Sequence, residues 1–139
     1  LPYRPFLVKP NHLVLGDIFG KTLHTLREVT GHAKLLQKRG AKNVLVSLGK
    51  TGAVLIAEGG EVLQSQPPEG KPVNTVGSGD SMVAGFLYGY LTSGNYREAF
   101  RMGLCAGSAS AFQPWLATQE QIEKVAADFQ LQDFGTRRL

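Results

Sequence analysis

The chain has 139 residues and a formal net charge of +4 at pH 7; 42% of its residues are hydrophobic and 19% are charged. This balance excludes an intrinsically disordered chain, and the length is that of one domain able to bury a hydrophobic core without disulfides or metal ions. No apolar run is long enough to cross a bilayer, and the single cysteine, Cys105, excludes an internal disulfide, so we expect a cytoplasmic protein.

The first half of the chain alternates predicted strands with predicted helices. Strands are predicted at residues 6–8, 44–48 and 53–57, and a glycine turn joins the last of these to a fourth strand at 61–65, with which it would form a hairpin. A short helix is predicted at 13–19. A second helix, which Gly40 ends, is predicted from apolar residues at helical spacing, namely Leu26, Val29, Ala33 and Leu36.

The second half is predicted to be helical. One helix is expected at 81–91, ended by Gly94, and another at 96–112, where many small residues allow a second backbone or a flat ligand to approach closely. A capping-box pattern, Thr118 with Gln121, marks the start of a last surface helix with the apolar residues Ile122, Val125 and Phe129. Strands and helices in this order predict a single α/β domain.

The loop Gly77-Ser78-Gly79 directly precedes a predicted helix, with Asp80 at the junction. Glycines permit positive φ angles and remove side chains that would block a ligand, and unpaired N–H groups at a helix start bind anions such as phosphate. A carboxylate would repel phosphate, so Asp80 makes chemical sense as the acceptor of a proton from an attacking hydroxyl. The structural alternative is that the helix dipole favours an aspartate in a first turn.

This loop lacks the third glycine of the dinucleotide fingerprint and the Gly-Lys-Ser/Thr of a P-loop. Residues 74–86, Asn-Thr-Val-Gly-Ser-Gly-Asp-Ser-Met-Val-Ala-Gly-Phe, instead resemble the C-terminal signature of the PfkB, or ribokinase-like, carbohydrate kinases, which reads Asp-Thr-x-Gly-Ala-Gly-Asp. Asn74 and the run after Asp80 are most similar to the branch that phosphorylates fructose 1-phosphate, with the tagatose-6-phosphate branch as a near relative.

Three further segments resemble the family in its own order. Val8-Lys9-Pro10-Asn11 is similar to a Lys-Pro-Asn motif at the end of a central strand. Residues 47–53 are similar to a turn that lines the nucleotide site, and residues 106–111 to a small-residue helix beside the adenine. The resemblance implies that residues 1–139 are the C-terminal, nucleotide-binding half of a three-layer α/β/α ribokinase-like domain.

The resemblance also implies a role for each segment. Asp80 would contact the sugar phosphate and the nucleotide and act as the general base. The backbone N–H groups of Gly77, Ser78 and Gly79 would form the anion hole, with Gly79 also touching the nucleotide. ATP and Mg²⁺ are the implied cofactors, with K⁺ as an optional one. The remaining ATP contacts would be Asn11, Ser47, Leu48, Gly49, Lys50, Thr51, Gly52 and Ala106.

One position departs from the family pattern. The family usually has Asn-x-x-Glu after Lys-Pro, and this Glu organises magnesium and its water, whereas Val14 stands here. Either Asp17 substitutes from the next turn or metal handling is weakened, so the sequence assigns no metal ligand.

The strand-like run at 6–8 leads us to expect that the chain begins within a sheet and that the substrate half, with its sugar-contacting residues and lid, is missing. We then expect no turnover by this chain alone, and homodimerisation through that lid. A non-catalytic nucleotide-binding module is the alternative function. Neither a nucleic-acid motif nor a clustered basic face is present. Cys105 and Trp115 are interpreted as packing residues, and the three histidines lack metal-ligand spacing.

Overall fold

The computed structural model describes residues 4–70, 72–73, 75, 77–112, 117–127 and 129–131. These residues form two units, one built from the chain up to Gln66 and the other from Pro67–Leu131. Asn74 of the signature and Trp115 lie outside the described residues.

A four-stranded mixed sheet organises the first unit. Its strands lie in the order β1 (Leu7–Val8), β2 (Asn43–Ser47), β3 (Ala53–Ile56) and β4 (Val62–Ser65). β1 is parallel to β2, whereas β2, β3 and β4 pair antiparallel as two successive hairpins. The strands predicted at 44–48 and 53–57 are confirmed, and residues 44–46 and all of β3 are buried, as in strands covered on both faces.

Two helices, α1 (His12–Ile18) and α2 (Leu26–Lys38), belong to the same unit. Of the four α2 positions predicted from helical spacing, Val29, Ala33 and Leu36 are confirmed as buried, and Leu26 is partly buried against the same core. They join residues of α1 and of the sheet in one apolar cluster, and removal of this cluster from water is the main stabilising contribution. Its buried members are Leu15, Leu23, Val29, Ala33, Leu36, Ala41, Val44, Val46, Leu48, Val54 and Ile56.

A fully buried amide, that of Asn43, joins three strands of the sheet. Its Nδ2 donates to the Phe6 carbonyl just before β1 at 2.9 Å, and its Oδ1 accepts the Glu58 N–H just after β3 at 2.8 Å. Buried polar groups need hydrogen-bond partners. The Asn43 side chain therefore favours one placement of the neighbouring strands on β2.

The second unit is helical and contains α3 (Ser78–Ser93), α4 (Tyr96–Ala111) and α5 (Gln119–Ala127). Gly94 ends α3 in a left-handed conformation with φ 67°, as predicted, and the Asn95 side chain caps α4. No helix within the described residues has the length and apolarity required to span a bilayer.

Glycines bring the backbones of α3 and α4 close together. A Cβ atom at Gly85 would lie 2.6 Å from both the Met102 carbonyl oxygen and the Ala106 Cβ, which is too close for any real side chain. The small-residue surface predicted for residues 96–112 thus meets another backbone, that of α3. The glycines at this contact, four residues apart on each helix, are Gly85, Gly89, Gly103 and Gly107.

Arg101 links α5 to α4. Its guanidinium donates to the carbonyl oxygens of Ala126 at 2.8 Å and Phe129 at 3.2 Å. The same guanidinium forms an ion pair with Glu98, in which Arg101 Nη2 and Glu98 Oε1 are 2.8 Å apart. Hydrogen bonding from Arg101 lowers the pKa of the Glu98 carboxyl. One cation thereby stabilises the region around the end of α5.

The observed elements follow the predicted ones within one residue at most ends. The predicted start of α3 at residue 81 is wrong by three residues, because Gly77 adopts φ 82° as the N-cap and the helix begins at Ser78. α5 ends at Ala127, so Phe129 lies beyond the helix in which it was expected.

The capping box of α5 is confirmed. Thr118 N–H donates to Gln121 Oε1 at 2.8 Å, and Gln121 N–H donates to Thr118 Oγ1 at 3.2 Å. None of the α5 side chains is fully buried, in agreement with a surface helix.

Replacing Asn43 should destabilise the chain. Asn43→Ala is expected to cost about 2 kcal/mol of unfolding free energy, because it removes the side-chain partners of the Phe6 carbonyl and the Glu58 N–H in a buried site. Urea denaturation followed by circular dichroism measures this loss. Lys34→Ala, on the exposed face of α2, is the control and should stay within about 0.5 kcal/mol of the parent. Equal losses in the two variants would contradict a role for Asn43 in joining the strands.

The same substitution should have opposite effects at two helical glycines. Gly85→Ala is expected to destabilise by roughly 1–3 kcal/mol, because the added Cβ overlaps α4. Gly31→Ala in α2 meets no heavy atom within 4 Å and should stabilise by about 0.5–1 kcal/mol through helix propensity. Thermal unfolding of the two variants compares them directly. Stabilisation by both changes would show that α3 and α4 do not approach as closely as described.

Candidate active site

A tight turn between β2 and β3 carries the segment predicted to hold a nucleotide. Gly49–Thr51 forms a single turn of 3-10 helix, and the Leu48 N–H closes it by donating to the Gly52 carbonyl at 2.9 Å. Gly49 and Lys50 are exposed. The turn therefore offers backbone atoms and one flexible cation to solvent.

Gly52 is required at this turn for a reason internal to the sheet. It has φ 122°, and a Cβ placed on it would overlap the Ser65 carbonyl oxygen of β4. Gly49 has φ 63° but meets nothing within 4 Å of such a Cβ. Since L-residues rarely adopt positive φ angles, the backbone alone accounts for both glycines, and the open side of Gly49 is where a ligand can approach.

The structure brings Asn11 beside Ser47. The two residues form a parallel bridge, and the Ser47 N–H donates to the Pro10 carbonyl at 3.2 Å. Asn11 is also the N-cap of α1, because its Oδ1 accepts the Val14 N–H at 2.8 Å. The oxygen of this exposed side chain is thus committed to the helix, and its amide N–H groups are the part suited to an anionic ligand.

The glycine loop of the second unit forms the start of α3. Gly77, the N-cap, is left-handed with φ 82° and ψ −6°. Ser78 donates twice to the Thr75 carbonyl, from its N–H at 3.2 Å and from its hydroxyl at 2.8 Å. The N–H groups of Gly79 and Asp80 lie in the first turn, where the helix itself supplies no acceptor. Of the predicted anion-hole donors, the Ser78 N–H is therefore already engaged with Thr75.

Asp80 is exposed and lies in the first turn of α3. A carboxylate here is stabilised by the helix dipole. The same carboxylate lies next in sequence to the Gly79 N–H, which has no acceptor within the helix, so an acceptor of protons and a binding point for negative charge occupy one helical turn. The geometry of this turn is compatible with both interpretations of Asp80 that the sequence leaves open.

Two serines that the sequence did not single out contact the same turn. Ser110 of α4 is 2% exposed; its hydroxyl donates to Ser81 Oγ at 2.8 Å and accepts the Ala117 N–H at 3.2 Å. Ser81 directly follows Asp80. The sequence offers little signal for Ser110, because residues 106–111 consist of small residues that include a second serine, Ser108.

Ala106, predicted to lie beside the adenine, is 1% exposed and its methyl group faces Gly85. Its side chain packs within the helix pair, and a contact with the nucleotide stays a prediction. Cys105 is buried, as expected for a packing residue, and burial raises the pKa of its thiol to about 12. At neutral pH this thiol is protonated and therefore unreactive.

The residues near Asn11 do not build a magnesium cage. Val14 is 46% exposed on α1, and Asp17 is exposed one turn later. Across the described part of the chain, no three His, Cys, Asp or Glu side chains lie together in a way that could hold a metal ion. Mg²⁺ in phosphoryl-transfer enzymes is commonly held by one or two carboxylates together with substrate phosphates. The described residues therefore build no magnesium site of their own, and a single carboxylate such as Asp17 could take part only in that shared mode.

Comparison with curated proteins and solved structures identifies relatives over most of this chain. It is 43% identical over 122 residues to the 1-phosphofructokinase of Bacillus subtilis (strain 168), covering 88% of this chain and 40% of the relative. It is 34% identical over 132 residues to the D-tagatose-1-phosphate kinase of Bacillus licheniformis, covering 94% of this chain and 43% of the relative.

A solved structure, phosphofructokinase-2 from Escherichia coli in complex with substrates and products, superposes with a TM-score of 0.82 at 32% identity over 90% of this chain and 41% of that one. The same enzyme has also been solved in complex with potassium. The chain thus spans about two fifths of the length of each relative.

The profile of the pfkB family carbohydrate kinases matches residues 1–121. This match contains the turn between β2 and β3 and the glycine loop that begins α3, and the α/β class and the ribokinase-like relationship predicted from the sequence are confirmed. The chain belongs to the pfkB family of carbohydrate kinases.

Proposed function

We propose that this chain provides the nucleotide-binding part of a kinase that transfers the γ-phosphoryl group of ATP to a sugar phosphate, with fructose 1-phosphate as the foremost acceptor and fructose 1,6-bisphosphate as the product. The observation that carries the proposal is the first turn of α3, where an exposed carboxylate, Asp80, adjoins backbone N–H groups that have no acceptor within the helix. Phosphoryl transfer requires this combination, since one group must take a proton while others bind negative charge.

The relatives support the choice of acceptor. One is named for phosphorylation of fructose 1-phosphate and another for tagatose 1-phosphate. Both names describe a ketohexose that carries phosphate on carbon 1. This support favours 1-phosphates over tagatose 6-phosphate, which remains the alternative acceptor within the family.

In the proposed reaction, the acceptor hydroxyl attacks the γ-phosphorus while Asp80 takes its proton. The bond between the γ-phosphorus and the β–γ bridging oxygen breaks, and ADP leaves. The backbone N–H groups of Gly77, Ser78 and Gly79 bind the oxygens on which negative charge is greatest, with Ser78 sharing its N–H with Thr75. Fixed dipoles of this kind can contribute several kcal/mol to a barrier. Magnesium bound to the ATP phosphates would neutralise further charge, and potassium would be an optional activator.

The remaining predicted contacts bind ATP. The turn from Ser47 to Gly52 would lie along the nucleotide, and Lys50, the cation of this turn, would reach a phosphate. Asn11 would donate its amide N–H groups to the phosphates, because its oxygen caps α1. Ala106 would contribute through the backbone of α4, since its methyl group is buried against α3.

The chain spans about two fifths of the length of its relatives. The activity of a whole kinase is therefore a proposal that also involves segments of the relatives that this chain does not match. We expect no turnover by the chain alone and expect the complete enzyme to be a cytoplasmic homodimer.

A second candidate function is a nucleotide-binding module without catalysis. The observation that favours it is Val14, which places an aliphatic side chain where the family has a magnesium-organising glutamate.

The experiment that tests the kinase replaces the aligned segment of the Bacillus subtilis 1-phosphofructokinase with residues 1–139. ATP consumption is then measured with fructose 1-phosphate, tagatose 1-phosphate, tagatose 6-phosphate and fructose 6-phosphate. Turnover with fructose 1-phosphate as the best acceptor is expected, and the chain alone should give none. A chimera that binds ATP but phosphorylates no acceptor would favour the non-catalytic module.

Asp80→Asn in this chimera should reduce kcat by about 10²–10⁴-fold, because the general base is lost, and leave the Kd for ATP unchanged. Glu120→Gln is the matched control, since Glu120 is also an exposed acid in the first turn of a helix. It removes a favourable dipole interaction and should leave kcat within twofold. Unchanged turnover in Asp80→Asn would reduce Asp80 to a helix-dipole residue.

Val14→Glu restores the family carboxylate on an exposed position of α1. We expect the concentration of Mg²⁺ required for half-maximal activity of the chimera to fall severalfold, with little change at saturating Mg²⁺. Leu13→Glu adds the same charge at the neighbouring exposed position, which is 65% exposed, and should not reproduce the effect. Equal responses in the two variants would show that added charge alone, and not position 14, acts on the metal.

A further inference from the structure

The C-terminal end of α4 contacts the start of α3 at several points. A Cβ at Gly107 would lie 3.2 Å from the Ser78 carbonyl oxygen, so α4 meets the first turn of α3 in van der Waals contact. Four residues later, the Ala111 carbonyl accepts the Val73 N–H at 2.7 Å, in the segment that leads into the glycine loop. Backbone contacts therefore hold this end of α4 against both sides of the loop.

Ser110 supplies the polar link at the centre of this contact. Ser110 is 2% exposed, and its hydroxyl accepts the Ala117 N–H at 3.2 Å and donates to Ser81 Oγ at 2.8 Å. A buried hydroxyl with two hydrogen-bond partners is held in place by both of them. Ser81 in turn donates its own N–H to the Gly77 carbonyl at 3.0 Å, so the same residue closes the first turn.

We infer that Ser110 is a positioning residue for the proposed reaction. It holds Ser81 in place and thereby the turn from Gly77 to Asp80. The effect on catalysis rests on the proposed function, whereas the effect on the position of the turn does not. Ser110 is buried, so it would act through its contact with Ser81 and not through a contact with a ligand. It fixes the direction of the first-turn N–H groups and of the Asp80 carboxylate, and small displacements of such groups carry large rate penalties.

The structural part is tested on the chain itself by residue-resolved amide hydrogen exchange. Ser110→Ala should accelerate exchange of the Ser81 and Met82 N–H groups about tenfold relative to the parent, because the turn they belong to loses its link to α4. The matched control is Ser93→Ala, which removes a serine hydrogen bond to Gly89 at the opposite end of α3 and should leave Ser81 and Met82 unaltered. Unchanged exchange in Ser110→Ala would overturn the inference.

Ser81→Ala is the second variant, for the case that Ser110→Ala does not fold. It removes the same hydrogen bond from the side of α3 and leaves the bond between Ser110 and Ala117 in place. The same acceleration at Met82 is expected. A stably folded Ser81→Ala protein with parental exchange at Met82 would contradict the link.

The catalytic part is tested in the chimera by a double-mutant cycle. Ser110→Ala should lower kcat about tenfold with KM for ATP and acceptor within twofold, and the double variant with Ser81→Ala should be no slower than Ser81→Ala alone. Multiplicative losses would show that Ser110 acts through packing and not through Ser81. If Ser110→Ala accelerates local exchange but the parent chimera has no activity, the positioning contact is supported and the proposed function is rejected.

Discussion

Direct backbone contact between α3 and α4 is the constraint on which the second unit depends. At the glycines of this contact, main-chain and Cβ atoms of one helix lie directly against the other. Helices that meet only through large side chains can change their relative position by repacking those side chains, whereas these close contacts restrict such a change. The glycine loop and Asp80 form the first turn of α3, so their position relative to α4 follows from a contact that spans the whole helix.

The proposed chemistry uses the backbone more than side chains. The turn at Gly49–Thr51 and the first turn of α3 each expose main-chain groups whose directions depend on left-handed glycines, Gly49 and Gly77. Phosphoryl transfer needs positioning and charge neutralisation more than it needs reactive groups. A family signature rich in glycine, with Asp80 as its single reactive side chain, is what such a mechanism requires.

Much of the fold could be predicted because buried strands and amphipathic helices have distinct apolar patterns. Residues 44–46 of β2 and all of β3 are apolar, and α2 shows its buried face at helical spacing. The start of α3 could not be predicted, since glycine is compatible with a loop and with a first helical turn. The family signature identified the loop and Asp80, but not Ser110, because a buried hydroxyl acquires its meaning only when a partner from another helix, here Ser81, comes within reach.

The burial of Cys105 has a consequence for following the motions of this protein. Its thiol lies in α4 with no exposed surface and a pKa raised to about 12, so an alkylating reagent reacts with it only after the helix opens. It is also the only cysteine in the chain. The rate at which the native protein is alkylated therefore reports the free energy of local opening of α4, without an introduced label or a second thiol to confuse the signal.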